Sequence, residues 1–253
     1  MGIIKAAVFD IAGVTHGLPE LNKFSQDFLA NGEQYIVDVV EKGKSKTVPL
    51  GVLEQVRRKV LASNNSQLVN RVNEEVDNKN LDHSFMSLMG AVNAEGLAKG
   101  RYNVCVFPDI PDALLRFKRY FSLANASNEN QGGRGVYTFS NGSRILQEEM
   151  FRNATLEGNK ERLNLHRQVD GYFSTAGGFD NEGPASKIDS KSFSRLAGYL
   201  GLRPTEIFFF SDSRKELEAA NKAGFYVSFV NRPGNGPVDG FKVTNSFKEI
   251  EFH

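Results

Sequence analysis

The chain has 253 residues, 40% of them hydrophobic and 24% charged, with 31 Lys and Arg against 30 Asp and Glu. That length supports a buried core without disulfides or structural metals, as one large domain or one domain carrying an inserted second. A net charge of +1 argues against nucleic acid or an anionic membrane as the main partner, and the lone Cys105 excludes an intramolecular disulfide and favours a reducing, cytoplasmic setting.

No segment approaches the ~18 consecutive apolar residues of a membrane-spanning helix. The apolar start, Ile3 to Phe9, is interrupted by Lys5 and closed by Asp10, too short for a signal peptide. Ala6-Ala7-Val8-Phe9, stopped by Asp10 and a turn at Gly13, predicts a buried strand ending in a loop. From about Leu18 to Lys99 the spacing is helical. Leu53, Val56 and Val60 recur at three- and four-residue steps, as do Val69, Val72 and Val76, and then Phe85, Leu88, Met89 and Val92. After Val104-Cys105-Val106-Phe107, Ala113 to Phe121 predicts a helix and the Asn- and Gly-rich Ser122 to Arg134 a surface loop. Strands follow at Gly135 to Phe139, Gly171 to Phe173, Glu206 to Phe210 and Phe225 to Val230. Helices run up to Phe151, from Ser190 to Gly201, and up to Ala223. Strands alternating with helices predict an α/β fold, a doubly wound parallel sheet with helices on both faces. Right-handed crossovers gather its strand C-termini on one edge, where ligands bind. The helical block interrupts this pattern after the first strand.

Asp10, Ser140 and Asp212 each follow a predicted strand directly, and Lys187 precedes a helix in a Gly- and Pro-rich loop. Taken singly, each has a plainer explanation as a cap, a turn or a solvated surface residue. Taken together at matching strand ends, they describe phosphoryl transfer. Two carboxylates close together repel, and a hard divalent cation such as Mg²⁺ neutralises them. Ser140, with the backbone amides that follow it at a helix N-terminus, suits a phosphate oxygen, and Lys187 is a point charge for the same group. An Asp can be the nucleophile. Gly43-Lys44-Ser45 fails as a P-loop because Asp38 stands where its first glycine is needed. His16, His83, His166 and His253 show no ligand spacing.

Val8-Phe9-Asp10-Ile11-Ala12-Gly13-Val14-Thr15 resembles the first motif of the haloacid dehalogenase-like (HAD) hydrolase superfamily, with Asp10 at the nucleophile position. Tyr137 to Ser143 resembles the second motif, Lys187 the third, and Phe208 to Glu216 the fourth, with Asp212 and Glu216 at the acidic positions. The resemblance implies a Rossmann-like core over residues 1–16 and 101–253 and a helical cap over 17–100. It implies Mg²⁺ held by Asp10, the Ala12 carbonyl and Asp212, with Glu216 as ligand or just behind. Ser140, Asn141 and Lys187 would bind the phosphoryl group of a small phosphorylated metabolite, with Asp10 and Lys187 catalytic. Within the superfamily, Ser140 to Phe151, Asp170 to Phe173, the stretch from Lys187 and Asn231-Arg232-Pro233-Gly234-Asn235 look most like enolase-phosphatase.

One position departs from that pattern. Two residues after the nucleophile these phosphatases carry an acidic general acid/base, Glu in enolase-phosphatases, and this chain has Ala12. A positioned acid/base is worth about 10²–10⁴-fold. Three accounts stand open: a leaving group that needs no proton, a carrier from elsewhere such as Glu20 or His16, or a catalytically impaired protein that binds a phosphorylated ligand. Asp10-Ile11-Ala12-Gly13 is also similar to the first motif of phosphonoacetaldehyde hydrolase, but Glu54 stands where that enzyme carries its Schiff-base lysine. Ser140 to Ser143 also resembles a haloacid dehalogenase motif, although those enzymes carry Asn where this chain has Asp212.

Overall fold

A computed structural model describes residues 3–17, 83–125, 133–175, 185–233 and 239–252, together with 24, 27, 30, 31, 34 and 236. The stripes at Leu53 to Val60 and Val69 to Val76 lie outside the described residues, as do Glu20, Glu54 and His253.

The main sheet contains β1 (Ala6–Phe9), β3 (Gly135–Ser140), β5 (Gly171–Ser174), β6 (Ile207–Ser211), β7 (Tyr226–Val230) and β8 (Val243–Thr244). Its order is β5-β3-β1-β6-β7-β8, and every pair is parallel. The remaining strands, β2 (Val104–Cys105) and β4 (Ala154–Thr155), form a small separate parallel pair. The described helices are α1 (His83–Ala98), α2 (Ile110–Asn125), α3 (Arg144–Arg152), α4 (Ser190–Leu200) and α5 (Arg214–Lys222). The chain builds outward from β1 to β3 and β5, then returns to β6 on the other side. This reversal opens a crevice at the C-terminal edge beside β1.

Alternation along the central strands explains the two layers. Ala7, Phe9, Phe208 and Phe210 belong to one apolar cluster with α2 and α3, whereas Ala6, Val8 and Phe209 belong to the other with α4 and α5. Period two on a sheet covered on both faces gives continuous apolar runs of this kind. Phenylalanines fill both layers. Phe9 stacks on Phe210 at 5.1 Å and meets Phe247 edge-on at 5.2 Å. Phe193 meets Phe209 at 5.0 Å and Phe139 at 5.5 Å on the opposite face.

Among the described residues the predicted strands and helices are present, and the differences fall in α2 and in strands too short to read from sequence. Helix α2 continues through Asn125, so Ser122 to Asn125 is helix rather than loop. Its apolar stripe carries on in Phe117 and Phe121, which bury one face of its last turns. Strand β8 is two residues long, too short for a periodic signal. Helix α1, the described end of the 17–100 segment, packs on α3. At Gly90 a Cβ would lie 2.0 Å from Ser143 Oγ, so a glycine is needed for that approach. Arg101 closes the base of the same segment, pairing with the buried Asp27 at 2.7 Å. Among the described residues, no helix is long and apolar enough to cross a membrane.

Phe210→Ala should lower the unfolding free energy by about 3–5 kcal/mol, because it empties a stacked, fully buried site. Leu123→Ser, at a position 75% exposed, should change it by less than about 0.5 kcal/mol. Chemical denaturation of the two variants beside the wild type measures the contrast.

Candidate active site

Three strands end side by side at the crevice. Phe9 on β1 is in register with Thr138 on β3 and Phe210 on β6. Asp10 one residue on, and Ser140 and Asp212 two residues on, therefore emerge together. Asp10 stays locked to the sheet, because its N–H donates to the Phe210 carbonyl at 2.9 Å. Behind it the chain folds back tightly: the Ile11 carbonyl accepts from Thr15 and His16, both at 3.0 Å, and Gly13 N–H donates to the His16 carbonyl at 2.9 Å. Gly13 has φ +70°, and a Cβ there would lie 2.1 Å from Asp212 Oδ2. Asp212 thus rests directly against the main chain that carries Ala12.

Lys187 reaches the same place from the loop before α4. That loop is pinned by Ser186 N–H donating to Ser192 Oγ at 2.9 Å, and by Asp189 capping α4 at Lys191 N–H at 3.0 Å. The buried Lys187 ammonium meets Asp10 Oδ1 at 2.7 Å and Glu216 Oε1 at 2.9 Å. Glu216 sits in the first turn of α5 and accepts a second bond from Ser211 Oγ at 2.8 Å. Both described contacts of the Asp10 carboxylate fall on Oδ1, the other being Ile11 N–H at 2.7 Å. Ser140 Oγ accepts from Gly142 N–H at 3.3 Å, and the exposed Asn141 accepts from Thr175 Oγ1 at 3.1 Å.

No family model matches the chain. It is 27% identical over 215 residues to a probable bifunctional methylthioribulose-1-phosphate dehydratase/enolase-phosphatase E1 of Arabidopsis thaliana, covering 83% of this chain and 37% of that protein. The chain thus spans little more than a third of the length of such bifunctional relatives. It is 24% identical over 251 residues to enolase-phosphatase E1 of Shewanella woodyi, covering 98% of this chain and 99% of that protein. The crystal structure of the UTR4 protein of Saccharomyces cerevisiae matches with a TM-score of 0.68 at 23% identity, over 98% of this chain and 100% of that one. The chain has the fold of haloacid dehalogenase-like proteins. Within that superfamily its likeness is to enolase-phosphatase.

At this site three carboxylates gather near one ammonium that pairs directly with two of them, and the electrostatics follow. Burial alone would lower the Lys187 pKa, but Asp10 and Glu216 outweigh burial and raise it. Burial, then the Asp10 charge, pushes the Asp212 carboxyl up to about 6. The same two causes push Glu216 up to about 7 against the opposing pull of Lys187. An edge with surplus negative charge and hard oxygen donors suits a divalent cation that prefers carboxylates and carbonyls. Asp10 and Asp212 are the carboxylates at this edge that could hold one. Glu216 differs from them, since both its oxygens already serve Lys187 and Ser211. Among the described residues no group of three or more His, Cys, Asp or Glu side chains is arranged to hold a metal.

His16 does not suit the role of proton carrier. Its ring is fully buried, edge-on to Phe151 at 5.0 Å, with Nδ1 on Thr15 Oγ1 at 2.9 Å. Burial lowers its pKa to about 3, against a smaller opposing bond to the Met150 backbone, so it stays neutral. Two supports of the site lie in stretches singled out from the sequence, but without a role. Ser211 looked like the end of a strand, yet it braces Glu216. Arg232 pairs with buried Asp109 at 2.9 Å and donates to the Val14 carbonyl at 3.2 Å, propping the loop after Asp10 from below.

A carboxyl whose folded pKa is raised stabilises the fold while protonated, and that contribution is lost as pH rises through the folded value. For Asp212 the window runs from 3.8 to about 6. Without divalent cations, Asp212→Asn should match the wild type in Tm near the bottom of that window and exceed it by several degrees above the top. His16 and Glu206 titrate in both proteins and cancel in the difference. A difference that stays flat across the window would contradict the raised value.

Proposed function

We propose that this chain is a Mg²⁺-dependent phosphatase of a small phosphorylated metabolite, working through an aspartyl-phosphate on Asp10. The observation that carries this reading is the buried Lys187 shared by Asp10 and Glu216, at the strand edge where Ser140 and Asp212 also end. The enolase-phosphatase names of the relatives favour the same substrate class. The single cysteine fits a cytoplasmic setting, and residues 17–100 fit a cap inserted into the core.

In this reading Asp10, the Ala12 carbonyl and Asp212 hold Mg²⁺, which supplies positive charge to the phosphoryl oxygens. Lys187 fixes Asp10 through Oδ1, so Oδ2 is the attacking oxygen. Its lone pair forms the bond to phosphorus, and the bond from phosphorus to the leaving oxygen breaks, its electron pair departing with that oxygen. Lys187 and the Ser140-Asn141 turn offset charge on the phosphoryl oxygens. Water then attacks phosphorus, inorganic phosphate leaves, Asp10 is restored, and the proton passes to solvent. Glu216 holds the lysine in place. Ala12 offers no proton to the leaving oxygen, so substrates whose leaving group departs readily as an anion are favoured.

Ala12 also motivates a second reading, a phosphate-ligand binding protein on an impaired HAD core. The two part on leaving-group dependence. A working phosphatase turns over aryl or enol phosphates with Mg²⁺ and falls off steeply towards alkyl phosphates, and Ala12→Asp or Ala12→Glu flattens that slope. A binding protein turns over neither until residue 12 is acidic. Asp10→Asn should remove at least about a thousandfold of any activity. Equal rates in the wild type and Asp10→Asn would overturn the nucleophile assignment.

A further inference from the structure

Gln147 is a polar residue where the pattern of α3 calls for an apolar one. It shares the buried face of that helix with Leu146, Met150 and Phe151, and it is fully buried. Every hydrogen-bonding direction of its amide that the structure describes is aimed at the second motif or its neighbouring strand. Gln147 Oε1 accepts from Thr138 Oγ1 at 2.6 Å. Gln147 Nε2 donates to the Gly142 carbonyl at 2.8 Å and to the Phe173 carbonyl at 2.9 Å. One side chain thus ties β3, the turn that follows it, and the end of β5.

The consequence falls on the turn. No cis peptide occurs among the described residues. In a trans peptide the carbonyl and the following N–H point in opposite directions. Gln147 anchors the Gly142 carbonyl, so the Ser143 N–H is turned to the side away from Gln147. The Ser140 carbonyl is likewise taken by Thr175 N–H at 3.0 Å, which turns the Asn141 N–H away from β5. Two main-chain donors are thereby pre-set before any anion arrives, and donors fixed in advance need no reorganisation on binding. An apolar residue at 147 would release the Gly142–Ser143 peptide and leave two buried carbonyls without their donor.

We propose that Gln147 is a positioning residue that sets the peptide planes of the Ser140–Ser143 turn for a phosphoryl group, a role that rests on the phosphatase reading of the site. It touches no reacting atom, so it acts on binding of the phosphoryl group in ground and transition state alike. Such a loss appears in KM with kcat little changed.

The test uses the full chain with inorganic phosphate and p-nitrophenyl phosphate as probes, in Mg²⁺. Gln147→Met keeps length and loses all three bonds. Gln147→Glu keeps shape and the Thr138 bond but can donate to at most one of the two carbonyls, and only when protonated, and it serves if the first variant does not fold. Met150→Ala, on the same buried face, is the matched destabilised control. Either Gln147 variant should weaken phosphate binding and raise KM by about tenfold, with kcat within about threefold. Met150→Ala should lower Tm and leave phosphate affinity unchanged. Wild-type binding with equal affinity in the Gln147 variants would overturn the positioning role alone. Absence of phosphate binding and turnover in the wild type would overturn the phosphatase reading and this role with it. An equal loss in Met150→Ala would also overturn the role, because general loosening of α3 would then suffice.

Discussion

The site depends on one buried ammonium held between two carboxylates. Taking Lys187 out of water is costly, and only the two contacts, at 2.7 Å to Asp10 and 2.9 Å to Glu216, keep it charged there. Those contacts require three separate pieces of chain to meet within hydrogen-bonding distance: the end of β1, the loop before α4 and the first turn of α5. Each piece has its own lock. Asp10 is held by the Phe210 carbonyl, the lysine loop by Ser192 and Asp189, and Glu216 by Ser211. Breaking a buried pair from one side leaves an uncompensated charge, at about 3–5 kcal/mol. The sheet therefore serves the triad by bringing β1 and β6 into register so that their ends coincide.

The phenylalanine-rich composition has a role in that register. The central strands are covered on both faces, and the layers are filled by aromatic rings at 4.5–6.4 Å from one another. Phe9 and Phe210, paired across β1 and β6, stack at 5.1 Å immediately below Asp10 and Ser211. Slipping one strand by a residue would turn those rings to the other layer and pull the strand ends apart. Ring packing and the geometry of the candidate site are fixed by the same pairing.

That coupling explains what was legible in the sequence. Ala6 to Phe9 and Glu206 to Phe210 could be read as buried strands because parallel strands covered on both faces leave uninterrupted apolar runs. Asp10, Ser140 and Asp212 could be read because strand ends in such sheets converge on one edge. Their contacts could not. Nothing in a sequence says that Lys187 would choose Asp10 and Glu216, or that Ser211 would turn back onto Glu216, because these bonds join residues far apart in the chain or are decided by local rotamers. Gln147 lies between these cases. The sequence places it in a helix up to Phe151 without singling it out, and its burial and the carbonyls that receive its amide are set by the fold. His16 shows the reverse case: a residue chemically able to carry a proton is disqualified by complete burial, which its neighbours in sequence do not announce.

Ala12 removes proton transfer from this edge and leaves the rest of the charge arrangement intact. A buried ion triad is a poor way to stabilise a fold, since apolar groups of the same shape usually serve at least as well. Its presence here is therefore better explained by a use for the charge than by a need for stability. Gly13 points the same way: its bare main chain admits the Asp212 carboxylate to a place where any side chain would collide. The missing acid/base lies on the loop between these two features, and in the proposed mechanism its loss bears on the proton of the departing oxygen and on that of the attacking water. Under the proposed phosphatase reading it narrows which phosphate esters are cleaved, while Asp10, Lys187, Asp212 and Glu216 remain assembled at one strand edge.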